Sequence, residues 1–138
     1  MVGSEEGYGV ACTKDGAPSA RSVFTIEKVN DARRGQFDKI IRYGDKVRIL
    51  ANDQIFGVHK KMYLKSQYTS TQSFARMSHF QEVTVTVNPS SATLWEFEPK
   101  DPRVKFTTVG EPVMINTPLL IKHSNTVNCL GTDNFYFK

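Results

Sequence analysis

The feature that most limits what this chain can become is a series of short segments in which polar and apolar residues alternate, each closed off by turn-forming residues. Residues 22–29 (SVFTIEKV) and 81–87 (QEVTVTV) carry the pattern most clearly. A period of two sends successive side chains to opposite faces of a strand, a sorting that a helix of 3.6 residues per turn does not produce. Shorter strand signals lie at 46–50, 62–64, 93–97, 113–115, 119–123 and 135–137. Turn residues punctuate them at Asp15-Gly16, Asn30-Asp31, Tyr43-Gly44-Asp45, Asn88-Pro89-Ser90, Asp101-Pro102 and Thr117-Pro118. Only residues 69–80 have a composition that permits a short helical turn. Strands this short and this regularly spaced predict an all-β chain closed as a barrel or sandwich.

A chain of 138 residues is long enough for one domain with a core of its own. Nine Phe and five Tyr against a single Trp supply the aromatic bulk that pleated surfaces pack well. Within 93–97, Trp95 and Phe97 share one face by the period-two rule and are expected in the core. A weak internal repeat orders the segments. Tyr43-Gly44-Asp45 opens one unit and Gly110-Glu111-Pro112 a second, and each glycine is expected to give backbone freedom at the turn that starts a strand. Leu64 and Val83 occupy the next strand positions of the first unit, and residues 94–97 close it. The division this gives is a single domain over 1–138: an irregular N-terminal segment at 1–21, the end of a first repeat at 22–30, a second repeat with insertions at 40–105, and the start of a third at 110–138.

The order of these motifs carries a resemblance. Ile41-Arg42-Tyr43-Gly44, Lys61-Met62-Tyr63-Leu64, Gln81-Glu82-Val83, Trp95 with Asp101-Pro102, Gly110-Glu111-Pro112-Val113, and Leu119 to His123 followed by Asn125-Thr126 and Leu130 together resemble the cilia- and flagella-associated protein 161 family, and more distantly the repeat of MIR domains. The resemblance implies a β-trefoil-like barrel, incomplete at both chain ends, as part of a longer polypeptide. It further implies a structural microtubule inner protein in the axoneme of cilia and flagella, with tubulin and neighbouring inner proteins as its partners.

Catalytic chemistry finds little footing. His59, His79 and His123 are scattered singly, without the spacing of a metal site, and read as surface or hydrogen-bonded histidines. Cys12 and Cys129 stand far apart and outside any CxxC pattern, which reads as reduced thiols, with Cys129 at a position the repeat expects to be packed. No phosphate-cradling or nucleophile-elbow motif is present. Glu96 and Glu98 suit a surface pair flanking buried Trp95 and Phe97 better than a glycosidase dyad. No catalytic residue, cofactor or metal ligand is therefore assigned. The N-terminal residues lack the pattern of a secretory signal, and no apolar stretch is long enough for a spanning helix, so a cytosolic protein with no membrane partner is expected.

Charge is uneven. Eleven Lys or Arg against four Asp or Glu lie between Lys28 and Arg76, leaving seven against ten elsewhere. Such a segment attracts an acidic partner. Arg33, Arg34, Lys60, Lys61 and Arg76 are the candidate contacts to tubulin, with the aromatic Phe56, Tyr68 and Phe74 as possible anchors. The competing readings are a lectin-like or MIR-type trefoil that binds a carbohydrate or receptor, and, on the basic segment alone, a nucleic-acid binder.

Overall fold

The computed structural model describes residues 8–14, 16–29, 39–52, 60–68 and 81–131. Among these residues eight strands form one antiparallel sheet: β1 (Tyr8–Gly9), β2 (Phe24–Lys28), β3 (Val47–Ala51), β4 (Tyr63–Ser66), β5 (Val83–Thr86), β6 (Trp95–Pro99), β7 (Leu119–His123) and β8 (Asn128–Cys129). The six longer strands curl into a half-barrel, and the two-residue β1 and β8 extend its ends. The all-β expectation is met.

The curl originates in β3. All five of its residues pair with β2 along one edge. The opposite edge is shared, with Leu50 opposite Tyr63 of β4 and Val47 opposite Trp95 of β6. One strand thus feeds two arms of the sheet, β4–β5–β1 and β6–β7–β8, and a sheet forked in this way cannot stay flat.

Inside the curl Tyr43, Val47, Ile49, Met62, Leu64, Val85, Trp95 and Phe97 make one apolar cluster, with Ile41, Val83, Val113, Leu119 and Ile121 packed against it. Burial of each such large side chain contributes roughly 1.5–3 kcal/mol. Trp95 is 1% exposed and donates its indole N–H to the Leu64 carbonyl oxygen at 3.0 Å, so its one polar atom is satisfied inside the core.

Gly44 and Gly110 adopt φ of 90° and 87°, the left-handed region that side chains disfavour. Each closes a turn, with Asp45 N–H on the Arg42 carbonyl and Glu111 N–H on the Thr108 carbonyl. The two turns pair with each other. Gly110 N–H donates to the Tyr43 carbonyl and Tyr43 N–H to the Glu111 carbonyl, both at 3.0 Å.

Four expectations are corrected. Residues 113–115 form no strand: Pro112 makes a single bridge to Arg42 and the chain turns at once, leaving Met114 and Ile115 exposed. The segment 1–21 is not wholly irregular, because Tyr8 and Gly9 pair with Val85 and Thr84 along β5. A helical turn does occur outside 69–80, as a 3-10 turn at Pro102–Val104 running into α1 (Lys105–Thr108). Asp101 starts it by accepting the Arg103 backbone N–H, and Pro102 at the first position needs no N–H partner. Cys129 is exposed rather than packed. The expected helical turn at 69–80 and the strand at 135–137 lie outside the described residues. Among the described residues no helix is long and apolar enough to cross a membrane.

Candidate functional site

The sheet's two faces handle polar groups in different ways. On the core side, β6 pairs with β7 so that His123 stands opposite Trp95. His123 is 1% exposed and meets the Trp95 ring edge to face, with centroids 4.8 Å apart. Its Nε2 lies 2.7 Å from the Ala92 carbonyl oxygen and its Nδ1 2.8 Å from Thr126 Oγ1. A carbonyl only accepts, so Nε2 carries the proton and the Thr126 hydroxyl donates to Nδ1. Thr126 Oγ1 accepts in turn from Gln81 Nε2 at 2.8 Å, and Gln81 Oε1 accepts from Asn128 Nδ2 at 3.0 Å. This relay ties the β7–β8 hairpin to the start of β5. Every nitrogen of His123 is committed to it, which leaves none for a metal or for base catalysis.

Beside the relay lies a cleft of about 40 Å³ lined by Ser66, Gln81, Trp95, His123, Cys129 and Leu130 among others. Space on this scale holds about one water molecule, far below the roughly 300 Å³ at which ligand pockets begin.

On the opposite face, the pairing that puts Trp95 and Phe97 inward stands Glu96 against Lys122. A continuous ladder of charge results. Lys46 and Lys122 both meet Glu96, and Lys122 and Lys105 both meet Glu98, the latter at 3.1 Å. The carboxylates are only 13% and 14% exposed, so they are not the surface pair that their positions in the sequence suggest. Burial by itself pushes the Glu98 carboxyl up, but hydrogen bonds from Lys122 and then Lys105 outweigh it and hold the group below its usual range. For Lys46, burial and then the positive charge of Lys122 pull the ammonium down. Lysines outnumber glutamates in the ladder, so both carboxylates are paired and neither is free for acid or base work. Among the described residues no His, Cys, Asp and Glu group together as a metal site.

Lys122 and Lys105 went unread in the sequence. A lysine inside the apolar run at 119–123 was the available signal, because a cation there needs an opposite charge across the sheet.

Of the candidate contact residues, Lys60 and Lys61 are exposed just before β4. Lys61 bonds Glu27 of β2 at 3.1 Å, and that hydrogen bond raises its ammonium above the ordinary value. Arg33, Arg34 and Arg76, with His59, His79, Phe56 and Phe74, lie outside the described residues. Tyr68 is 65% exposed, its hydroxyl donating to the Asn125 carbonyl. Tyr43, Leu64, Trp95 and Phe97 are buried and Val83 half-buried, while Gly44 and Gly110 sit in the paired turns. The structure therefore gathers the expected core residues in one place and leaves the described basic candidates as one exposed corner.

Comparison with known proteins adds what geometry cannot. The model of the cilia- and flagella-associated protein 161-like domain matches residues 5–138. The protein named cilia- and flagella-associated protein 161 in Danio rerio is 26% identical over 114 residues, covering 83% of this chain and 36% of the relative. Its Mus musculus counterpart is 28% identical over 131 residues, 94% of this chain and 42% of the relative. The Bos taurus counterpart is 29% identical over 119 residues, 86% of this chain and 35% of the relative. The chain thus spans well under half the length of each of these relatives. With a match running across nearly its whole length, it belongs to the cilia- and flagella-associated protein 161 family.

Proposed function

We propose that this chain is a structural module of cilia and flagella that binds tubulin inside doublet microtubules as a microtubule inner protein. The family membership carries the reading, and the names of the relatives point to cilia and flagella. The chemistry of the described residues agrees with a passive role: the buried histidine and the two covered glutamates are each consumed in holding strands together. The sheet serves as a rigid frame on which Lys60 and Lys61 face the acidic partner, and Arg33, Arg34 and Arg76 of the basic segment are further contacts to it. The two glycine turns are successive openings of a β-trefoil-type repeat, with units at 22–30, 40–105 and 110–138. Binding of this kind spreads over many moderate contacts.

A fluorescent fusion expressed in a ciliated cell should concentrate along the cilium and stay with the axoneme after detergent extraction. Signal spread evenly through the cytosol and absent from cilia overturns the reading. In co-sedimentation with microtubules, Lys60→Glu should weaken binding, and rising salt should weaken the parent in the same direction.

A further inference from the structure

The curled sheet ends, at β2, on an edge that has no partner among the described residues. Register decides which backbone groups are free there. The Val29 N–H donates to the Lys46 carbonyl at 2.9 Å, and Lys28 stands opposite Val47. Hydrogen-bonded pairs alternate along an antiparallel ladder, so Thr25 and Glu27 also turn their backbone groups towards β3. The far end confirms the phase: Ala51, opposite Phe24, gives its N–H away from β2 to the Met62 carbonyl. The N–H and C=O groups of Phe24, Ile26 and Lys28 therefore point outward from the sheet.

The side chains are a second observation. Phe24 and Ile26 lie opposite Ala51 and Ile49, on the face that lines the core. Ile49 is 6% exposed, but Phe24 and Ile26 are 42% and 43% exposed. The apolar face continues beyond β3 and stops uncovered under β2. No proline interrupts the strand, and its lysine is turned inward, with Lys28 Nζ held by Asp45 at 3.1 Å and by the Ile40 carbonyl at 2.8 Å.

We propose that β2 is the docking edge for one further extended strand, which joins the sheet through the outward groups of Phe24, Ile26 and Lys28. The strand is apolar at the alternate positions that cover Phe24 and Ile26. It is polar at the others, which lie beside Thr25 and the Glu27–Lys61 pair. Its source is the additional length of family members: the matched regions make up 36%, 42% and 35% of the three relatives, so most of each lies outside them. This inference rests on family membership and is independent of tubulin binding.

The test uses overlapping peptides tiled over the part of the mouse relative outside the match, titrated into the whole chain by calorimetry. One alternately apolar peptide should bind saturably and raise the Tm. Ile26→Lys, at an exposed position, should keep the parent's circular dichroism and melting and weaken that peptide by about tenfold or more. N-methylation of the peptide at alternate residues should abolish binding, and at the intervening residues leave it intact, a pattern that only strand pairing gives. The proposal is overturned if no peptide binds, or if binding ignores both Ile26→Lys and the phase of N-methylation. A dimer of the chain alone that Ile26→Lys dissolves would assign the edge to a second copy and overturn it equally. Microtubule co-sedimentation of Ile26→Lys reads the tubulin proposal separately.

Discussion

Trp95 is the residue on which the fold turns. It is fully buried, bonded to Leu64 across the curl of the sheet and set edge to face against His123. Trp95→Ala should cost about 3–5 kcal/mol in urea unfolding, since the cavity cannot close between two sheet arms. Trp95→Phe is expected to lose less, chiefly the bond to the Leu64 carbonyl, at about 1–3 kcal/mol. A melting temperature unchanged in Trp95→Ala would show that the core is elsewhere. Val127 presents the reverse case. It holds φ 60° at the end of the β7–β8 turn, where its N–H reaches the His123 carbonyl at 2.8 Å, and it is 65% exposed. A β-branched residue is strained there and buries little in return. Val127→Gly should therefore stabilise the chain by about 1 kcal/mol, seen as a Tm higher by a few degrees. The burial of Trp95 and Phe97 could be read from their spacing. The strain at Val127 could not, because φ is set by the closure of the hairpin and not by the residue.

Among the elements, the pairing of β6 with β7 joins core to charge. The same register that packs Trp95 on His123 places Lys122 between Glu96 and Glu98. Glu98 is held below its ordinary 4.5 in the folded chain. In that case the folded state binds fewer protons than the unfolded one, and the stabilisation is present above the unfolded value and lost as pH falls through the folded one. Chemical denaturation across that acid range should show stability dropping below about pH 4.5. Glu98→Gln should be less stable at neutral pH by roughly 1–2 kcal/mol. The gap between parent and variant should close below the lowered value of Glu98. A gap that stays constant with pH would mean the ladder's charge contributes nothing. The turns are a second joint between elements. Gly44→Ala and Gly110→Ala each force a side chain into positive φ and should each destabilise by about 1 kcal/mol. Because the two turns hydrogen-bond each other, the double variant should depart from additivity in thermal melts.

For the whole molecule, the antiparallel pairings join distant parts of the sequence, from β2 with β3 to β6 with β7. Such topologies fold slowly, in roughly milliseconds to seconds. The single Trp makes this measurable by stopped-flow fluorescence, since its emission should shift to the red as Trp95 leaves the core. A red-shifted emission already in the native chain would contradict its burial. Function at this scale rests on family membership, and the sheet supplies a frame whose β2 edge is unpaired among the described residues.

Period-two alternation is local, so the sequence alone determined the strand class, most strand positions and the inward side of 95–97. The ordered motifs likewise carried the family resemblance before any pairing was known. Tertiary structure alone decided which strands meet: the fork at β3, the mutual pairing of the glycine turns, the lysine–glutamate ladder and a β2 edge unpaired among the described residues. Pairing joins residues far apart in the chain, and a slip of one residue in register exchanges the faces of a strand. Local pattern carries no information on that choice; only the packed core does.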